Sequence, residues 1–215
     1  NSMDYNSINT SKLKRLLDSY NLKVMCHLPI FFPICSPFKN VNNAALKDLE
    51  DFFSFLSKLE AKKIVIHPES FGSLVSAEYT ILKNIEAYRK IVAIGKRYKI
   101  KVLTENLYHR YDNPDFFKLL LNKVPGLGLT IDTGHCNITS PETFKQFFTK
   151  LRDRVEHIHI SDNNSYDDLH LPIGCGTFDW DSFAKLLKNH RGSFTLEVFV
   201  QHADYLLLSM EKLKA

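Results

Sequence analysis

Nine side chains able to ligate a metal or move a proton recur at one kind of position. The apolar, β-branched run 127–132 (LGLTID) ends in the carboxylate Asp132, and the imidazole His135 follows three residues later. His27 closes KVMCH, His67 closes KIVIH and Glu105 closes IKVLTE. His159 lies near the end of VEHIHIS and Glu197 near the end of SFTLEV, while Asp168 and His170 stand in the loop between them. Imidazole and carboxylate donors without thiolate suit zinc, manganese, iron or cobalt, and argue against a closed structural zinc site. Any one of them alone is more ordinarily a hydrogen-bonded structural residue than a ligand. The same feature at six of six run ends is what points to a metal centre.

Short apolar runs bounded by turn signals read as buried strands, which here cover 23–30, 63–67, 100–105, 127–132, 155–161 and 193–198. Between them lie helical patterns over 9–19, 43–59, 74–98, 114–122, 141–151, 182–189 and 202–214, and a loop over 166–180 that contains Gly-Cys-Gly. Asn9, Thr10 or Ser11 can cap the first helix, and Pro114 suits the first turn of the fourth. Strands alternating with amphipathic helices require parallel pairing and right-handed crossovers. Both an open doubly wound sheet and a closed barrel satisfy this. Only closure gathers all six strand ends around one centre, so the expected class is α/β, a TIM (β/α)8-type barrel. Six strands are two short of that architecture, and the chain opens on a helix.

The 215 residues are enough for one well-buried domain spanning 1–215. Lys and Arg number 28 against 24 Asp and Glu, a net charge of +4 that by itself demands no nucleic-acid partner. The cysteines at 26, 35, 136 and 175 have no CxxC spacing and read as reduced thiols, which places the protein in the cytoplasm. No stretch is apolar enough for a membrane span, and the start is polar rather than signal-like. His157 shares a strand face with His159 but lies further from the strand end, where a packing or hydrogen-bonding role fits better.

The ordered set H…H…E…DxxH…HxxD…DxH…E, together with HLPIGCGTFDW at 170–180, resembles the xylose isomerase-like TIM barrels. That superfamily holds sugar and sugar-phosphate isomerases and epimerases as well as endonuclease IV (AP endonuclease family 2). The resemblance runs from His27 onwards. It implies that Glu105, Asp132, His159 and Glu197 hold one divalent ion (Mn, Zn, Mg or Co), with Glu105 and Glu197 as the catalytic acid and base. It also implies that His27, His67, His135, Asp168 and His170 bind substrate or additional metal. In the nuclease branch, His27 and His67 match ligands of a second zinc bridged by Glu105, and His135, Asp168 and His170 match ligands of a third.

The favoured reading is therefore a metal-dependent isomerase or epimerase of a small sugar, sugar phosphate or related hydroxy-carbonyl compound. The alternative is an endonuclease IV-like zinc phosphodiesterase acting at abasic sites in DNA. Against it stands the segment after His27, LPIFFPICSPFKN, which offers one Lys and no Arg to a duplex backbone. A third reading is a non-catalytic barrel that binds a sugar or a metal. Phe31, Phe32, Phe38, Tyr108 and Tyr111 follow ligand-bearing strands and suit either a sugar-pocket wall or loop packing. Because the family's first histidine belongs to its third strand, the chain is expected to lack the first one or two strands. Either an N-terminal truncation would account for this, or a homo-oligomer or a reorganised N-terminus would cover the open barrel edge.

Overall fold

The computed structural model describes residues 5–71, 75–107 and 113–214, so Leu74, Tyr108 and Tyr111 lie outside the described residues. Among the described residues six strands share one sheet in chain order: β1 (Met25–His27), β2 (Lys63–Ile66), β3 (Lys101–Glu105), β4 (Gly128–Asp132), β5 (Val155–Ile160) and β6 (Ser193–Leu196). Eight helices accompany them among the described residues. α1 (Thr10–Ser19) precedes β1, and α2 (Lys39–Lys58), α3 (Ala77–Tyr98) and α4 (Pro114–Lys123) fill the first three crossovers. α5 (Thr133–Thr139) and α6 (Thr143–Leu151) lie between β4 and β5, α7 (Trp180–Leu187) between β5 and β6, and α8 (Ala203–Lys214) follows β6. Sequential strands joined by helical crossovers are the α/β arrangement expected of a TIM-type barrel, here with six of its strands.

The chain forms two compact units, one of residues 1–103 with 123–127, the other of 104–122 with 128–215. In the first unit, β1 and β2 run parallel with Cys26 opposite Ile64 and His27 opposite Val65. Ile64, Val65 and Ile66 are buried, as are Ala45, Leu49, Phe53 and Leu56 on one stripe of α2. Ser76 caps α3 by accepting from the Tyr79 N–H, and Lys99 ends that helix in the left-handed region at φ 58°. Gly95 is required by close approach, since a Cβ there would stand 2.6 Å from the Ile100 carbonyl oxygen. Tyr88, fully buried on α3, donates its hydroxyl to the Ile66 carbonyl at 2.6 Å and so ties the helix to the end of β2.

In the second unit every residue of β4 is buried, and β4, β5 and β6 run parallel. The register pairs Asp132 with His159 and His159 with Thr195. An extra residue, Glu156, interrupts the β4–β5 ladder between Val155 and His157. Behind the sheet lies an aromatic cluster in which Phe147 packs on Phe117, and Phe144 on Phe148, Phe178 and Phe183. His157 is held between the Ser193 and Thr195 hydroxyls at 2.8 and 2.9 Å, the hydrogen-bonding role expected for it.

The element boundaries depart from expectation for identifiable reasons. β1 spans three residues rather than eight: the last bond to β2 is from the Leu28 N–H to Val65, and the chain then turns, with the Phe32 N–H on the Pro29 carbonyl at 2.9 Å. α2 starts four residues early, with Phe38 at the N-cap position and no side-chain cap to mark it in the sequence. α7 begins at Trp180 rather than 182 because Asp179 caps it through the Ser182 N–H at 3.0 Å. α5 had no counterpart among the expected helices. Its seven residues are too few for a periodic pattern, and its cap is Asp132, one of the candidate ligands.

Candidate metal centre

The ends of β3, β4 and β5 and the residue after β6 deliver Glu105, Asp132, His159 and Glu197. One ligand atom from each of these four lies within 4.8 Å of the others. His159 is the hub: its Nδ1 stands 2.7 Å from Glu105 Oε1 and 3.2 Å from Glu197 Oε1. Glu105 and Asp132 are fully buried, His159 nearly so, and Glu197 is partly open. Glu197 lies just past the last strand residue, yet its N–H still reaches the Ile160 carbonyl at 2.9 Å and keeps the ladder direction.

Asp132 has two differently employed oxygens. Oδ1 accepts the His135 N–H at 2.7 Å as the cap of α5, while Oδ2 is buried and has no hydrogen-bond partner. A buried carboxylate oxygen without a donor is costly unless a cation meets it. With one imidazole and three carboxylates converging on it, the set fits a divalent ion that accepts nitrogen and oxygen donors.

His135 continues the cluster. Its Nδ1 faces the Asn106 carbonyl at 2.8 Å, and its Nε2 lies 3.4 Å from Asp168 Oδ2. His170 mirrors it, with Nδ1 on the Glu197 carbonyl at 2.7 Å and Nε2 again 3.4 Å from Asp168 Oδ2. His170 adopts a left-handed backbone at φ 47°, and its ring stacks on Phe199 with centroids 4.1 Å apart. Both imidazoles thus spend one nitrogen on a backbone carbonyl and aim the other at a shared carboxylate, whose Oδ1 is buried without a partner.

The electrostatics follow from crowding carboxylates and imidazoles out of water. Burial pushes the Asp132 carboxyl above its ordinary range, with Glu105 adding to the effect and His135 opposing it. Burial opposes protonation of His135, but Asp132, Asp168 and Glu105 outweigh it and hold the imidazole well above its usual value. His159 behaves likewise: against the cost of burial, Glu105, Glu197 and Asp132 raise it to about 9. Burial would raise Asp168, yet His135 and His170 together pull it well below the usual carboxylate range. His170 is raised, burial again opposing and Asp168 prevailing.

Seven of the nine expected site residues therefore gather in the second unit. His27 and His67 lie in the first, their rings 4.9 Å apart, His27 at the exposed end of β1 and His67 buried just after β2. Phe31 and Phe38 are exposed and Phe32 is half-buried in the loop between β1 and α2. Sequence reasoning missed Asn106. Fully buried, it accepts the Asp132 N–H on its side-chain oxygen at 2.7 Å and offers its own carbonyl to His135. The one available signal was a polar residue directly after a candidate ligand. Thr133 was missed too; its hydroxyl bonds the Ser161 carbonyl and N–H at 2.8 and 3.0 Å and joins the ends of β4 and β5.

The family model described as xylose isomerase-like TIM barrel matches residues 1–215, and the chain belongs to that family. Among curated proteins it is 28% identical over 204 residues to the uncharacterized protein MJ1614 of Methanocaldococcus jannaschii, covering 93% of this chain and 79% of that one. Among solved structures it is similar to a D-tagatose 3-epimerase-like protein, with TM-score 0.83, 26% identity, and coverage of 96% of this chain and 81% of the other. It shares its fold with the 3-keto-D-glucoside 4-epimerase YcjR of E. coli, with TM-score 0.79, 19% identity, and coverage of 96% and 84%. No helix among the described residues is long and apolar enough to cross a membrane.

Proposed function

We propose that the chain is a metal-dependent epimerase or isomerase of a small sugar or related hydroxy-carbonyl compound. The observation that carries this reading is the convergence of Glu105, Asp132, His159 and Glu197 within 4.8 Å, with one Asp132 oxygen buried and unpartnered. Similarity to an epimerase-like protein at 26% identity supports the substrate class. A divalent ion held by these four residues would supply Lewis-acid polarisation of the substrate carbonyl.

The chain's own groups do the rest. Glu105 and Glu197 come from different strands and both approach His159 Nδ1; in this reading each presents a carboxylate to the substrate carbon. One removes the proton α to the carbonyl and the other returns it, as general base and general acid. His135 and His170, each fixed through Nδ1, hold substrate hydroxyls or the developing oxyanion with Nε2. Asp168 keeps both imidazoles oriented.

Glu197→Gln keeps the shape of the side chain and removes its base. Turnover of the ketose that proves active, from a panel including D-tagatose, is expected to fall below a few per cent of wild type. Greater residual activity would sink the assignment. A second reading, the zinc phosphodiesterase, draws on the two imidazoles that converge on Asp168, whose Oδ1 is free to meet a further ion. Elemental analysis of protein purified without added metal or chelator separates the two. About one ion per chain favours the epimerase, whereas two or three zincs favour the nuclease and call for an abasic-site duplex as the next substrate.

A further inference from the structure

The loop that carries Asp168 and His170 is fastened to a carboxylate that the proposed chemistry leaves unused. Asp162 lies two residues beyond β5 and is fully buried. Its Oδ1 accepts the N–H groups of Asn163 at 2.9 Å and Phe178 at 3.1 Å; its Oδ2 accepts those of Gly174 and the Trp180 indole, both at 2.9 Å. Its backbone pairs in both directions with Leu171 at 2.9 and 2.8 Å. Among the described residues no cation pairs with it, so four N–H dipoles carry the whole burden of a buried negative charge.

The surrounding sequence is cut to this arrangement. A Cβ at Gly176 would run into Asp162 Oδ1 and the Asn163 carbonyl, and Gly174 takes the left-handed φ of 76°. Asn163 continues the fastening, bonding the Gly134 carbonyl with its amide nitrogen and accepting from Asn137 and the Ser165 N–H. The segment between Asp162 and Leu171 is thereby closed at its base, and Asp168 and His170 stand on it.

We infer that Asp162 is a positioning residue, the buried anchor that sets Asp168 and His170 against His135, and that loosening it weakens substrate binding without emptying the metal centre. The inference rests on the epimerase reading for its kinetic consequence and on geometry alone for its structural one. It also explains why HxxD and the Gly-Cys-Gly loop occur together in the sequence: the aspartate of the first is the acceptor for the N–H groups of the second.

The test compares full-length Asp162→Asn and Trp180→Phe with wild type. In Asp162→Asn, whichever way the new amide turns, its NH2 faces two N–H donors, whereas Trp180→Phe removes one donor only. Trp180 is the single tryptophan, so emission reads the anchor directly. For Asp162→Asn we expect a shifted Trp180 emission and an unchanged number of ions per chain. We also expect a His170 Nδ1–H resonance lost to exchange, while the His157 imidazole resonances stay in place. KM for the active ketose should rise about tenfold or more, and kcat falls with it where His170 holds the developing oxyanion rather than a ground-state hydroxyl. Trp180→Phe should move the same two quantities in the same direction by less.

An Asp162→Asn protein that folds and keeps its His170 resonance or its KM overturns the inference. If Asp162→Asn does not fold, Trp180→Phe decides alone, and an unmoved His170 resonance counts against the anchor. If wild type turns over no ketose, the epimerase reading fails by itself and the His170 resonance still decides the role of Asp162.

Discussion

Asp132 works through two oxygens, and two substitutions can separate what they do. Asp132→Asn keeps an acceptor for the His135 N–H, so α5 stays capped, and it removes a carboxylate that burial already disfavours. Metal affinity is then expected to fall by about tenfold or more, with the metal-free protein as stable as wild type. Asp132→Ala loses the cap as well and should cost the metal-free protein about 1 kcal/mol. Metal titration and urea unfolding of both variants separate the two duties. His159 gives the pH dependence. Its folded-state value is raised to about 9 from an ordinary 6.5, so protonation of His159 stabilises the metal-free fold fully below pH 6.5. That contribution is lost as pH rises through about 9. Metal binding needs the neutral imidazole, so apparent affinity should rise across the same window while metal-free stability declines. Parallel curves would refute the coupling.

Elements decide how much of this was legible beforehand. All six strands and seven of the helices were foreseeable from apolar period and length. Asp132, Glu105, His159 and Glu197 could be placed at strand ends for the same reason. What escaped was set by local hydrogen bonding rather than pattern: the short α5 hidden behind its own cap, Asn106 bracing β3 against β4, and Asp162 inside the loop after β5. A polar residue engaged through the backbone leaves no periodic trace. Gly95 illustrates the converse, a residue whose propensity misleads. In an exposed helix interior Gly→Ala stabilises by up to about 1 kcal/mol. On α3 the new methyl would meet the Ile100 carbonyl and the Val102 side chain, so Gly95→Ala should instead destabilise by about 1–3 kcal/mol in urea unfolding. A stabilised variant would mean that α3 is free to move off β3.

At the scale of the whole molecule, the two units are unequal in what a metal can do for them. The four donors of the proposed ion all belong to the second unit, whereas His27 and His67 belong to the first. Ligand binding stabilises what it binds, by about 2.7 kcal/mol at a hundredfold excess over Kd. Hydrogen exchange with and without chelator should therefore show metal-dependent protection at the ends of β4 and β5 and none at β2. Protection gained at β2 would point to a further ion on His67, as the phosphodiesterase reading requires. The donors also enter in chain order, at residues 105, 132, 159 and 197, the last just past β6. Since synthesis proceeds in that order, a nascent chain has no complete centre to offer until residue 197 has been added. On the proposed assignment, metal capture is a maturation step that follows translation of β6. A ribosome stalled before that point carries three of the four proposed donors.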